Sequence, residues 1–262
     1  MNTLESIGLV YTNIINFTLI LARIFTLFYT FSVFRREMVT VRIILSLSVM
    51  LSLYVLLLNH PPGINEEILS FPYLLRIIVQ MMIGFCAGII LNIAIEIFTS
   101  LGQILSTQIG LSTASLFDPR FGMITSLTHF YVITAIIIFF QMNGHLIMIK
   151  AILDSFTTIP VDFLFDDFKG MLIFKYASVI FSGAVLVSIT VIAAIMMTNL
   201  CLAMMSKFAP QFNLFSIGLN MSLLIGLLCV YLTYQIIIDR GELFIKDAIT
   251  VYQSYLVNLV KK

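Results

Sequence analysis

Residues 71–100, FPYLLRIIVQMMIGFCAGIILNIAIEIFTS, followed by residues 101–122, LGQILSTQIGLSTASLFDPRFG, decide the fold. The first stretch carries only two charges, Arg76 and Glu96. A helix needs about 20 mostly apolar residues to cross a hydrocarbon core of about 30 Å, so this run is long enough to span. The second stretch breaks the apolar pattern with polar, mostly uncharged side chains. Gln103, Thr107, Gly110 and Thr113 recur at helical spacing and make a narrow polar stripe. Asp118 precedes Pro119, which pushes it out of the α region, so the chain is expected to turn there. Non-helical backbone at membrane depth persists only where protein buries it or water fills a cavity beside it. Two readings follow: a re-entrant segment that lines or plugs a path, or a cytoplasmic connection between two spans.

Working outward, five further apolar runs qualify as spans: residues 7–33, 39–58, 122–143, 171–198 and 214–238. The fold class read from this pattern is all-α, a polytopic membrane protein of about six hydrophobic helices in hairpins. Short connections at residues 34–38, 59–63 and 206–213 make neighbouring helices antiparallel. Leu243, Phe244, Ala248, Ile249, Tyr252, Leu256 and Leu259 recur at helical spacing, so the tail from Asp239 reads as a separate amphipathic helix. No polar linker divides the chain, and residues 1–262 read as one domain.

The composition agrees, with 60% hydrophobic and 10% charged residues against about 25% charged in soluble domains. A net charge of +1 gives no basic field for nucleic acid. Cys86, Cys201 and Cys229 lie far apart in apolar runs, outside any metal or redox spacing. The first run lacks a basic leader and a small-residue cleavage site, so it is expected to stay in the mature chain. Excess Lys and Arg marks cytoplasmic loops. Arg35, Arg36 and Arg42 place the first loop inside, Glu66 and Glu67 outside, the acidic connection with Asp154, Asp162, Asp166 and Asp167 outside, and Lys207 inside. The tail, with four basic and three acidic residues, would then fall outside.

Ionisable groups inside apolar runs are costly and carry a functional hypothesis by default. Arg23, Arg76, Glu96 and His129 are such groups here. Arg23 and Glu96 are expected to form a buried pair joining two helices. A proton-linked site is the other reading, but one acid and one base make no relay. Arg76 lies near a span end, where its head snorkels. Met81-Met82, Met196-Met197 and Met204-Met205 read as filling cores and facing lipid, with moulding around cargo or sealing a pore as the other reading.

Enzymatic tools are missing. Ser182-Gly183 has no nearby histidine, and no nucleophile elbow exists. His60, His129 and His145 are dispersed, with no H-E-x-x-H and no Walker loop. His145 reads as an interfacial cap at the end of the fourth run. Neither an enzyme nor a cofactor is implied.

Taken in order, several segments resemble the FliR family of flagellar export-gate proteins and their injectisome relatives. Gly102-Gln103, then Gln108-Ile109-Gly110-Leu111-Ser112 with Ala114 and Asp118-Pro119, looks like the family's G-Q, Q-x-G-L-S-x-A and D-P pattern, with Glu96 ahead of it. Gly144-His145, then Ser155-Phe156 with Pro160, looks like a G-H and S-F-x-x-x-P signature. Ala209-Pro210-Gln211-Phe212-Asn213-Leu214-Phe215 with Gly218 looks like A-P-Q-x-N-x-F-x-x-G. Lys207 stands where Arg is common, and Asn220 where proline is common. The resemblance implies a non-enzymatic gate subunit in the bacterial inner membrane and flagellar basal body. Its partners would be FliP-like and FliQ-like subunits, an FlhB-like switch protein, an FlhA-like export protein and unfolded export substrates. It implies a channel plug at Gln103, Thr107, Gln108, Gly110, Ser112, Asp118 and Pro119, and a late loop at Lys207, Pro210, Gln211 and Asn213. It further implies helices tilted and partly lifted from the bilayer, with Asn13, Asn16, Arg23 and Gln80 satisfied by partner subunits. A virulence injectisome is the alternative setting. A stand-alone transporter using Arg23, Glu96 and Asp118 would show interruptions in both halves, whereas the sequence shows one.

Overall fold

The computed structural model describes residues 3–34, 39–59, 70–111 and 125–162, most of 182–204, and 214–258. The described elements are α1 (Thr3–Thr30), a 3₁₀ turn (Ser32–Phe34), α2 (Val41–Asn59), α3 (Phe71–Ile109), α4 (Ser126–Gln141), α5 (Gly144–Thr158), α6 (Ile192–Cys201) and α7 (Leu214–Asn258). No strand occurs among the described residues. Val10–Thr30, Val41–Leu58, Phe71–Ile109 and Met221–Val257 are each long and apolar enough to cross a membrane. The α4–α5 pair makes a fifth if taken as one broken span. At 1.5 Å per residue, α3 and α7 run roughly 58 and 68 Å, about twice the hydrocarbon thickness.

The chain divides into two compact units. The first holds Met1–Asn92, Asn143–Lys175 and Asp247–Lys262, and the second Ile93–Met142 and Tyr176–Lys246. α3 and α7 each contribute to both.

In the first unit, α1 turns Ile15, Leu19, Ile20, Arg23, Ile24, Leu27 and Phe28 fully inward, with Phe31 buried just past its end. Their alternating three- and four-residue spacing is the stripe one helix face presents to a core. α2 lies along α1. Ser48 and Ser52, both fully buried, bond back to the Ile44 and Ser48 carbonyls at 2.7 and 2.6 Å, so neither hydroxyl is stranded. α3 runs parallel to α1, as the rungs between them show. Thr18 meets the Tyr73 hydroxyl at 2.5 Å, Arg23 meets Gln80, and the Ser32 amide donates to Asn92 Oδ1 at 3.0 Å. Gly84 and Gly88 permit the approach. A Cβ at Gly84 would strike the Arg23 carbonyl and Thr26 Oγ1, and one at Gly88 would come 2.8 Å from Thr30 Cβ. Small residues spaced by one turn are how helices approach closely without a solvent-driven force between them. The Tyr252 hydroxyl on the last stretch of α7 donates to the Met148 carbonyl of α5 at 3.0 Å.

In the second unit, the far half of α3 packs antiparallel to both α4 and α7. Gly102 faces Thr128, while Ile109 faces Gly226 and Phe98 faces Gly241. The Phe130 and Tyr234 rings join α4 to α7 at 5.5 Å.

Several boundaries differ from expectation. Residues 101–109 continue α3 as regular helix, because Gln103, Thr107 and Gln108 sit on the exposed face of a helix whose other faces are largely buried. The expected stop at residue 238 is absent. Asp239 and Arg240 project outward from a continuous α7, Asp239 accepting from Gln235 at 3.3 Å, and Gly241 receives the Phe98 ring. Residues 144–158, read as part of an acidic connection, form α5. Asn143 adopts a left-handed conformation, φ 55°, which Asn tolerates better than most residues, and this breaks α4 from α5. His145 therefore lies in the first turn of α5 and not at the end of α4. Residues 171–181 of the fifth expected span lie outside the described residues.

Candidate functional site

The expected plug begins on the last turns of α3. Gly102 and Ser106 face inward: a Cβ at Gly102 would come 2.6 Å from Thr128 Cα, and Ser106 bonds the Thr125 hydroxyl. Thr125 is the N-cap of α4, accepting from the Thr128 amide at 3.4 Å. With that face fixed against α4, helical geometry turns Gln103 and Thr107 outward one above the other, and Gln108 is exposed beside them. Thr107 Oγ1 donates to the Ile104 carbonyl at 2.8 Å, leaving the Gln103 and Gln108 amides as the outward polar groups. Ser222 on α7 donates to the Gln108 carbonyl at 3.4 Å. Gly110, φ 88°, ends the helix, its amide bonding the Thr107 carbonyl at 3.2 Å. This is the left-handed stop that glycine adopts at no steric cost. Ser112, Asp118 and Pro119 lie outside the described residues, as do Lys207, Pro210, Gln211 and Asn213 of the late loop.

A second polar cluster lies in the first unit. Arg23, fully buried, donates from Nε to Gln80 Oε1 at 2.7 Å. Its Nη1 donates to Ser155 Oγ and the Ser155 carbonyl at 3.1 and 3.3 Å, and its Nη2 to the Ile159 carbonyl at 3.1 Å. The guanidinium also lies 4.3 Å from the Phe156 ring centroid. Gln80 is itself fully buried, and its Nε2 donates to the Val161 carbonyl at 3.1 Å. Arg23 and Gln80 thus satisfy each other and the end of α5 inside this chain, where the resemblance had assigned them to partner subunits. Glu96, half-buried, belongs to the second unit, and every Arg23 partner named above is neutral. Arg76 does more than snorkel: its Nη1 donates to the Asp162 carbonyl at 2.7 Å. Sequence reasoning marked Arg23 and Arg76 but not their acceptors. The available signals were Gln80, one turn beyond Arg76 in an apolar run, and the Ser155-Phe156 and Pro160 signature, which nothing in the sequence joined to Arg23.

Among the described residues no three His, Cys, Asp or Glu side chains are grouped to hold a metal. His129 is exposed on α4.

Long apolar helices, glycine-mediated contacts and polar groups satisfied between helices define a polytopic α-helical membrane protein. The chain belongs to the bacterial export proteins, family 1, the FliR family, which it matches over residues 14–247. It is 31% identical over 172 residues to the flagellar biosynthetic protein FliR of Buchnera aphidicola subsp. Baizongia pistaciae, covering 65% of this chain and 67% of that one. It is 32% identical over 220 residues to FliR of Buchnera aphidicola subsp. Schizaphis graminum, covering 82% and 84%. It is also 27% identical over 158 residues to the surface presentation of antigens protein SpaR of Shigella sonnei, covering 60% of each.

Proposed function

We propose that this chain is a non-enzymatic subunit of the type III protein export gate of flagellar assembly. It sits in the bacterial inner membrane at the basal body. With FliP-like and FliQ-like subunits it forms the channel for unfolded flagellar proteins, beside FlhB-like and FlhA-like components. The observation that carries this reading is family membership over residues 14–247. The broad exposed apolar faces of α2, α3 and α7 support a chain that partner helices and lipid cover.

In this reading Gln103, Thr107, Gln108 and Gly110 with Ser112, Asp118 and Pro119 form the plug. Outward amides hold a closed path by hydrogen bonds. They exchange those bonds for the backbone groups of a passing unfolded chain at small net cost, because a neutral hydrogen bond contributes only about 1 kcal/mol net. Charged side chains would bind segments of one sign too tightly for general passage. The late loop at Lys207, Pro210, Gln211 and Asn213 is assigned to the same gate.

Affinity isolation of the tagged chain in mild detergent, with mass spectrometry, tests the proposal. Recovery with FliP-like and FliQ-like proteins is expected, and recovery as a lone monomer or homodimer would overturn it. The similarity to SpaR favours a second setting, a virulence injectisome. A deletion strain that swims normally but fails to secrete effectors would select that one.

A further inference from the structure

We infer that Arg23 is a positioning residue whose buried cation, met among the described residues by the carbonyl end of α5 and by no carboxylate, holds residues 159–162 in one register that export requires. The last clause rests on the export-gate reading; the hold itself does not.

Three donors converge on one turn. Arg23 takes the Ser155 and Ile159 carbonyls, Gln80 takes Val161, and Arg76, one turn before Gln80 on α3, takes Asp162. The Ser155 carbonyl also accepts from the Ile159 amide at 2.8 Å, whereas Ile159, Val161 and Asp162 lie past the last helical residue, and a helix C-terminus carries about half a negative charge. Among the described residues, the fully buried guanidinium is thereby compensated without an acid. Pro160 sets the place. It disfavours helix at Ile159, whose carbonyl is left for Arg23. Ser155 adds its hydroxyl and Phe156 its ring face, so the Ser155-Phe156 and Pro160 signature is the receptor for Arg23. Gly84 completes the arrangement, since a Cβ there would strike the Arg23 carbonyl and hold α3 away from α1.

An apolar residue at position 23 would bury at lower cost than a cation, so the charge does not serve stability. What it provides is register. Sliding α5 by one turn, about 5.4 Å, would carry the Ser155 hydroxyl, the Phe156 ring and the Ile159 carbonyl away from the guanidinium together.

The test uses the full-length chain carrying Arg23→Met with Gln80→Leu, read in two ways. Hydrogen exchange on the purified protein in detergent is expected to quicken at least tenfold across residues 155–162 and to stay unchanged in α2. Export of flagellar substrates in cells is expected to fall at least tenfold, with the chain still accumulating within twofold of wild type. Unchanged exchange would overturn the hold, and quickened exchange with wild-type export would overturn its role. Should the double variant fail to accumulate, Ser155→Ala removes one acceptor alone. It is expected to quicken exchange about threefold beside Arg23 and not at all beside Arg23→Met; equal effects in both backgrounds would overturn the inference. A deletion strain that exports normally would instead sink the export-gate reading, leaving exchange to judge the hold.

Discussion

Glycine 84 shows how much one missing methyl group governs. Its Cα lies so close to α1 that Gly84→Ala would press a Cβ onto the Arg23 carbonyl and Thr26 Oγ1. Overpacking of this kind costs about 1–3 kcal/mol. Gly84→Ala is therefore expected to lower the thermal aggregation midpoint in detergent, while Gly8→Ala, with open space around it, is expected to leave it unchanged. Tyr252→Phe should cost about 1 kcal/mol by removing its hydrogen bond to the Met148 carbonyl, seen as a smaller drop in the same assay. At this scale the sequence was half legible. Arg23 and Arg76 stand out because charge in an apolar run is expensive, but their acceptors are mostly main-chain carbonyls, which every residue has and no pattern marks.

Elements stop where backbone geometry forces them to, and two stops are specific. Gly110 and Asn143 both take positive φ, which costs a β-branched residue about 1–2 kcal/mol. Gly110→Val should therefore unsettle the end of α3 and reduce export, with Gly110→Asn milder. Asn143→Gly should be tolerated where Asn143→Val is not, as judged by chain accumulation. Span length explains which elements were legible. α1 and α2 carry only three charges between them, Glu5, Arg23 and Arg42, and their expected limits, 7–33 and 39–58, fall within four residues of Thr3–Thr30 and Val41–Asn59. α5 was missed because Lys150 and Asp154 lower its hydropathy and because Asn143-Gly144 imitates a turn. The far part of α7 was split off because residues 239–242 resemble a terminator, when Gly241 is a socket for Phe98. For the plug, Gln103 and Thr107 do share one helical face, but Gly110 stops the helix and Thr113 lies outside the described residues, and the helix carrying them could not be joined to α3 from hydropathy alone.

The whole molecule leaves unusually much apolar surface uncovered: Met221, Leu224, Leu228, Tyr231, Leu232 and Ile236 of α7 are all exposed. Such a face demands lipid, detergent or partner helices. Thiol labelling measures which surfaces become covered. Cys201 is exposed, Cys229 partly buried and Cys86 buried, so a maleimide should modify them in that order in the detergent-solubilised chain. Isolation with its partners is expected to slow Cys201 relative to the lone chain if α6 lies at a subunit boundary. The hold on α5 also shapes what heredity can do to this protein. Two of the groups that receive Arg23 are peptide oxygens, and no side-chain change at Ser155 or Ile159, short of one that unwinds the helix, can delete them. Codons 155 and 159 can drift without deleting these two oxygens. The donor side has no such redundancy, and a single nucleotide change at codon 23 removes every bond at once.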